Sequence, residues 1–210
     1  MTPKVFIGTP VHVRKDYCMF RFMNAVSDLV YPDFHHCVVD NSPNVDYATN
    51  LKKVYDQSNR SFFHVETEGE SLEGGASHKR LVASYNLMRD QFLATDCEFF
   101  MTLECDVMIP SDGLKLLVEA DKDIVQGQYY IGFFSEPETN GNGLIQFYHN
   151  KGLNGVSLFK REVLEQIKFK YSEDILAAHQ DAFFFAEAVA AGFESWFHRD
   201  VKCDHMAGWQ

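Results

Sequence analysis

Glu104-Cys105-Asp106 is the segment of this chain whose residue types and spacing suit a hard cation. On an extended segment, residues i and i+2 point to the same side, so the two carboxylates can face one ion or one ribose together. Paired oxygen ligands suit Mg²⁺ or Mn²⁺, and such an ion neutralises a diphosphate as its bond to a leaving group breaks. The same alternation turns Cys105 away from both acids and makes it a packing residue. Acid pairs are frequent in solvated turns, so position carries the reading. This pair directly follows the apolar run Glu98 to Leu103 and precedes Pro110 and a helical segment.

Other polar residues stand at comparable places. In open α/β sheets ligands bind beyond the carboxyl ends of the strands. Thr9 and Pro10 follow the first apolar run, and Asp40 and Asn41 follow the second. A carboxylate at the second place can accept hydrogen bonds from a base or ribose. Asp181 opens an alanine-rich helix, where it either complements the helix dipole or serves as a general base toward a hydroxyl. The late His205, near Asp204, is either structural or a ligand. His35-His36 reads as strand packing, Trp196 as core, and Trp209 and His179 carry no assignment. Gly74-Gly75 before Ser77 reads as a hinge, since the full phosphate-loop signature is missing, and Glu66 to Gly75 as a solvated acidic loop.

The elements that must position these residues alternate. Lys4 to Thr9 reads as a buried strand stopping at Gly8-Thr9-Pro10. A helix over Lys15 to Tyr31 follows, closed by Pro32, then a strand over Phe34 to Asp40. A weaker helix covers Asp46 to Gln57, and a third strand covers Ser61 to Glu66. Leu81, Tyr85, Met88 and Phe92 fall on one helical face with Ser77 as N-cap. Beyond the acid pair come a helix with Leu114, Leu117 and Val118, and a strand over Asp123 to Tyr130. Such alternation implies crossover connections and a mostly parallel sheet with helices on both faces. Gly132 to Gly152 reads as a long connection with a short strand at Ile145 to Tyr148. The remainder is a strand over Leu153 to Phe159, a helix over Arg161 to Ile167, a helix from Gln180 closed by Gly192, and two short strands, Ser195 to His198 and Val201 to Cys203.

The totals narrow the classes. The 210 residues suggest one domain, with ordinary globular proportions of 46% hydrophobic and 23% charged residues. A net charge of -11, with no Lys/Arg run longer than two residues, disfavours nucleic acid and anionic membrane as partners. Five cysteines without a Cys-x-x-Cys pair fit free core thiols in a reducing compartment. The N-terminus shows no signal-peptide core and the chain no membrane-length apolar stretch, so the expected location is cytoplasmic.

Taken in order, these segments resemble the GT-A nucleotide-sugar glycosyltransferases, most of all the inverting family 2. The resemblance runs from Lys4 to about Met206. Val5 to Pro10 is similar to the first strand and its nucleotide-contacting loop, and Val38-Val39-Asp40-Asn41-Ser42 to the second strand with its base-contacting aspartate. Lys79-Arg80 stands where basic donor contacts occur, and Phe99 to Asp106 resembles the strand and Asp-x-Asp metal site. Gly155 to Leu164 resembles the acceptor-side segment. His179-Gln180-Asp181 resembles the Glu-Asp pair whose aspartate is the general base, and His205 stands where a further metal ligand occurs. Glu104 in place of aspartate and Gln180 in place of glutamate depart from the pattern, and no Gln-x-x-Arg-Trp segment follows.

The resemblance implies one Rossmann-like GT-A domain, with residues 1–130 holding the nucleotide-sugar and 131–210 the acceptor and catalytic half. It implies a Mn²⁺ or Mg²⁺ cofactor on Asp106 and His205, a donor, UDP-linked by preference, at Thr9, Pro10, Asp40, Asn41, Lys79, Arg80 and Glu104, and Asp181 as catalytic base toward an acceptor hydroxyl. Two other classes stay in view. A nucleotidyltransferase shares the sheet and the metal carboxylate, but Gly8-Thr9-Pro10-Val11-His12 lacks its glycine-rich basic loop. A silent nucleotide-sugar-binding protein would bind the donor without transferring it.

Overall fold

Strand and helix alternation organises the N-terminal half as its apolar periods predict. The structure, a computed structural model, describes residues 2–55, 59–66, 75–129, 141–147, 155–171 and 180–206. The elements run β1 (Val5–Val11), α1 (Asp16–Ser27), β2 (Phe34–Asp40), α2 (Val45–Tyr55), β3 (Arg60–His64), α3 (Gly75–Leu93), β4 (Phe99–Leu103), β5 (Val107–Met108) and α4 (Gly113–Glu119). They continue as β6 (Ile124–Tyr129), β7 (Leu144–Phe147), β8 (Val156–Lys160), α5 (Arg161–Gln166), α6 (Gln180–Ala190) and β9 (Ser195–His205). A 3-10 turn, Val13–Lys15, joins β1 to α1.

Among the described residues nine strands form one sheet, ordered β3-β2-β1-β4-β8-β6-β9-β5, with β7 also paired to β9. The pairing is parallel from β3 through β4 and between β6 and β9; β8 runs antiparallel to β4 and β6. The fold is therefore mixed α/β, parallel throughout only in its first half.

Each face of the sheet carries its own core. On one side Phe22 and Val26 of α1, Leu51 and Tyr55 of α2, and Leu114 and Leu117 of α4 pack against Ile7, Val38 and Met101. On the other, Tyr85, Met88 and Phe92 of α3, Val163 and Leu164 of α5, and Phe184 and Phe185 of α6 pack against Phe6, Val39 and Phe100. All five cysteines are free and buried, as their apolar settings predict.

Several boundaries differ from the sequence reading. β1 continues through Pro10 to Val11. A proline lacks the ladder donor, and the strand tolerates it because pairing with β4 has already ended at Gly8–Thr102. α1 stops at Ser27, although Leu29 and Tyr31 remain buried and prolong the apolar pattern beyond the helix. Ser77 lies in the first turn of α3 rather than at its cap, because the helix already includes Gly75. The two expected C-terminal strands are one, β9, whose register against β6 shifts between Gln126 and Gln128 and so absorbs the polar Arg199-Asp200 step. β5 was not foreseen; two residues give no period to read. Gly192 ends α6 at φ +92°, as a C′ glycine should.

His36 is wholly buried between the rings of Phe22 and Tyr55, and its Nε2 lies 3.0 Å from the Thr9 hydroxyl. Burial, with Arg60 and His35 adding to it, pushes the imidazole down from 6.5 to about 3. Between those values the unfolded chain takes up a proton that the folded chain refuses, so stability falls as pH drops from about 6.5 toward 3. In urea titrations between pH 6 and pH 4, the wild type should lose up to about 1.4 kcal/mol more per pH unit than His36→Gln. Equal slopes would show that His36 is not held neutral.

Candidate functional site

The C-terminal ends of β1, β2 and β4 converge on one polar region, and each delivers a different part of it. β4 ends at Leu103 and passes directly into Glu104. The Glu104 amide donates to Gly155 O at 2.8 Å and the Val107 amide to Glu104 O at 3.0 Å, so Cys105 and Asp106 lie in a turn. The expected extended geometry is thus replaced by a turn, yet both carboxylates still reach one cation, the Lys15 ammonium. Lys15 Nζ stands 2.9 Å from Asp106 Oδ2 and 3.5 Å from Glu104 Oε2. Burial alone would lower this ammonium's pKa, but Glu104 and then Asp106 more than offset it, and the group is held above its ordinary range. Cys105 is wholly buried beside Cys18 of α1 and takes no part in the polar cluster.

His205 reaches the acids through the sheet. β5 pairs antiparallel with the end of β9, placing Val107 opposite His205, and the Met206 amide donates to Asp106 O at 2.8 Å. Tyr17 of α1 clamps the same strand by donating its hydroxyl to Met206 O at 2.9 Å. His205 Nε2 consequently lies 3.5 Å from Asp106 Oδ2. The other oxygen, Asp106 Oδ1, is buried with no hydrogen-bond partner among the described residues. Among the described residues no group of three or more His, Cys, Asp or Glu side chains is placed to hold a metal ion. Asp106 and His205 nevertheless fit an ion of the kind that takes one or two protein ligands and completes its shell with substrate phosphate oxygens.

Beside the acids lies a cavity of about 210 Å³. Among the described residues, Arg14, Lys15 and Arg80 stand in its wall against a single carboxylate, Glu104. This is a locally basic cleft in a chain of net charge -11. His12 also lines it; its Nδ1 accepts from the Arg14 amide at 3.2 Å, and its buried Nε2 has no partner among the described residues. Burial, then the Arg80 charge, lowers the His12 pKa, so the ring is neutral at pH 7 and its hydrogen sits on Nε2. Sequence reasoning passed over Arg14, Lys15 and His12, because a short turn with no period offers no signal beyond its basic residues.

The expected nucleoside contacts separate. Pro10, Asn41 and Arg80 line the cavity. Asn41 is oriented by donating Nδ2–H to Ser84 Oγ at 3.0 Å. Lys79, the neighbour of Arg80, is exposed and outside the wall. Thr9 is fully buried, and its hydroxyl meets His36 inside the core. Asp40 is fully buried as well. Its Oδ1 accepts from the Ser42 hydroxyl at 2.6 Å and its Oδ2 from His64 Nδ1 at 2.8 Å. Ser42 Oγ in turn accepts from the Val13 amide at 2.7 Å. Asp40 thereby shapes the turn that carries Arg14 and Lys15.

Asp181, in the first turn of α6, is partly buried. Its charge acts on two tyrosines that also sense Glu104. Burial, then Glu104, then Asp181 push both the Tyr85 and Tyr129 phenols up, with Asp106 adding at Tyr129. Tyr85 donates to Glu104 Oε1 at 3.2 Å, and the Tyr129 ring lies 5.5 Å from that of His205. Both tyrosines read in sequence as ordinary core positions. His179, Trp209 and the loop over 67–74 lie outside the described residues.

No protein-family model matches the chain, and no curated protein matches it in sequence. Solved structures do match. Residues 1–349 of S. aureus TarS, in complex with UDP-GlcNAc, align with a TM-score of 0.67 over 98% of this chain and 60% of that one, at 15% identity. The mannosyltransferase PcManGT from Pyrobaculum calidifontis, in complex with GDP-Man and Mn²⁺, aligns with a TM-score of 0.71 over 100% of this chain and 59% of that one, at 15% identity. The chain thus shares the fold of these two structures and spans about three fifths of their length. Among the described residues no helix is long and apolar enough to cross a membrane.

Gly155 ties the acid segment to Tyr129. A Cβ built on it would overlap the Tyr129 hydroxyl and ring. Gly155→Ala should therefore destabilise the fold by about 1–3 kcal/mol, as overpacking does, and Tyr129→Leu in that background should restore part of the loss. Thermal unfolding measures both, and an unchanged Tm in Gly155→Ala would refute the contact.

Proposed function

We propose that the chain transfers a sugar from a nucleotide-sugar, UDP-linked by preference, to an acceptor hydroxyl with inversion and with a divalent cation as cofactor. The observation that carries this reading is the buried Oδ1 of Asp106, without a partner among the described residues, on a carboxylate whose Oδ2 lies near His205 and next to a cleft walled by Arg14, Lys15 and Arg80. A carboxylate oxygen left so costs free energy unless a cation or donor completes it. The fold shared with proteins solved with UDP-GlcNAc and with GDP-Man and Mn²⁺ supports the same class of donor.

In this reading residues 1–130 hold the donor and residues 131–210 serve the acceptor. Asp106 and His205 hold Mn²⁺ or Mg²⁺, which supplies charge neutralisation for the diphosphate. Arg80 and Arg14 bind phosphate oxygens. Pro10 and Asn41 border the nucleoside. Thr9 and Asp40 act behind it, Thr9 through the core and Asp40 by fixing the loop; Lys79 adds charge from outside. Glu104, held by Tyr85, faces the ribose. Asp181 takes the acceptor proton as the acceptor oxygen bonds to the anomeric carbon and the carbon–oxygen bond to the diphosphate breaks.

The test separates donor from base. UDP or GDP with Mn²⁺ should raise the wild-type Tm, EDTA should remove the shift, and Asp106→Ala should abolish it. Asp181→Asn should keep the shift while transfer falls by about 10²-fold or more. Indifference of the wild type to every nucleotide would sink the proposal, and full transfer by Asp181→Asn would sink the base assignment alone.

A further inference from the structure

Lys15 contends with the cofactor for the same carboxylate. Its ammonium lies 2.9 Å from Asp106 Oδ2, and that oxygen is also the one 3.5 Å from His205 Nε2. An ion held by Asp106 Oδ2 and His205 must share or take that oxygen from the lysine, and one held by Oδ1 sits on the same carboxylate, close enough for the ammonium to repel it. The ammonium also stands 3.5 Å from Glu104 Oε2. One flexible cation thus balances two enclosed acids, Asp106 with its side chain 8% exposed and Glu104 with its side chain 21% exposed. Lysine is suited to such an exchange, since its compact charge rides on a four-carbon stem with free rotation. Lys15 borders the basic cleft itself, next to Arg14. A diphosphate bound there would offer it a second anionic partner within reach of the same turn.

We propose that Lys15 is a built-in counter-ion that holds the acid pair in the free protein, yields Asp106 to the divalent cation, and moves onto the donor's diphosphate. The inference rests on the donor-site reading above. Its consequence is coupling between the two ligands. A cation arriving alone must displace an ammonium that then has no phosphate to meet. A nucleotide supplies that partner and so assists the cation, and by linkage the cation assists the nucleotide to the same degree.

The test is Mn²⁺ binding to the full chain, read from the electron paramagnetic resonance signal of free Mn²⁺, with and without saturating UDP. In the wild type, UDP should tighten Mn²⁺ by about tenfold or more. In Lys15→Met, Mn²⁺ alone should bind several-fold more tightly than to the wild type, UDP should tighten it less, and UDP affinity at saturating Mn²⁺ should fall. A lysine serving only the fold, or only the phosphate, would not strengthen binding of Mn²⁺ alone. If Lys15→Met does not fold, Lys15→Met/Glu104→Gln against Glu104→Gln makes the same comparison with one acid charge removed. Unchanged or weaker binding of Mn²⁺ alone in the lysine variant overturns the Lys15 proposal while leaving the donor site standing. A wild type that binds neither Mn²⁺ nor UDP, separately or together, overturns both.

Discussion

Two carboxylates placed side by side at the end of a buried strand must be balanced, and much of the site's architecture serves that requirement. Taking a charge out of water is costly unless a partner and hydrogen bonds compensate it. Glu104 and Asp106 receive theirs from three distant stretches of chain. The β1–α1 turn brings Lys15, α3 brings the Tyr85 hydroxyl, and the end of β9 brings His205. One carboxylate oxygen, Asp106 Oδ1, stays without a partner among the described residues, and that residual demand is what gives the site a chemical direction.

The position of Lys15 depends in turn on Asp40. The buried Asp40 carboxylate binds the Ser42 hydroxyl, and Ser42 binds the Val13 amide, so the end of β2 sets the path of the turn after β1. The pleat explains why Asp40 does this rather than facing the cavity. Val38 and Asp40 lie on one side of β2, and the adjacent Asn41 reaches the opposite side to meet Ser84 of α3. In β1 the same alternation sends Thr9 to His36 and leaves Pro10 in the cavity wall.

The second half of the chain completes the site by reversing direction. β8 runs antiparallel between β4 and β6, and its preceding Gly155 receives the Glu104 amide. β9 then returns parallel to β6 and ends antiparallel to β5, which is how a histidine near the C-terminal end of the described chain meets an acid in the middle of it. The aromatic residues Tyr85, Phe169, Phe184 and Phe185 fill the layer beneath and join α3 to α6, the helix that carries Asp181.

Much of this was legible in the residues. Periods of two and 3.6 residues located the early strands and helices, because a buried face must repeat with the geometry of its element. The place of Glu104-Cys105-Asp106 after an apolar strand followed from the same pattern, as did the packing role of Cys105 and the helix stop at Gly192. What the tertiary structure alone decided was which polar groups are spent on one another. Thr9, Asp40 and Glu104 look equally available in one dimension, but Thr9 and Asp40 are turned into partners inside the protein, while Lys15, a residue without any local signal, is drawn to the acids. Local periodicity reports which face of an element is buried. The pairing of charges across the ends of strands is set by crossovers and register, which bring together residues whose sequence separation carries no trace of the contact.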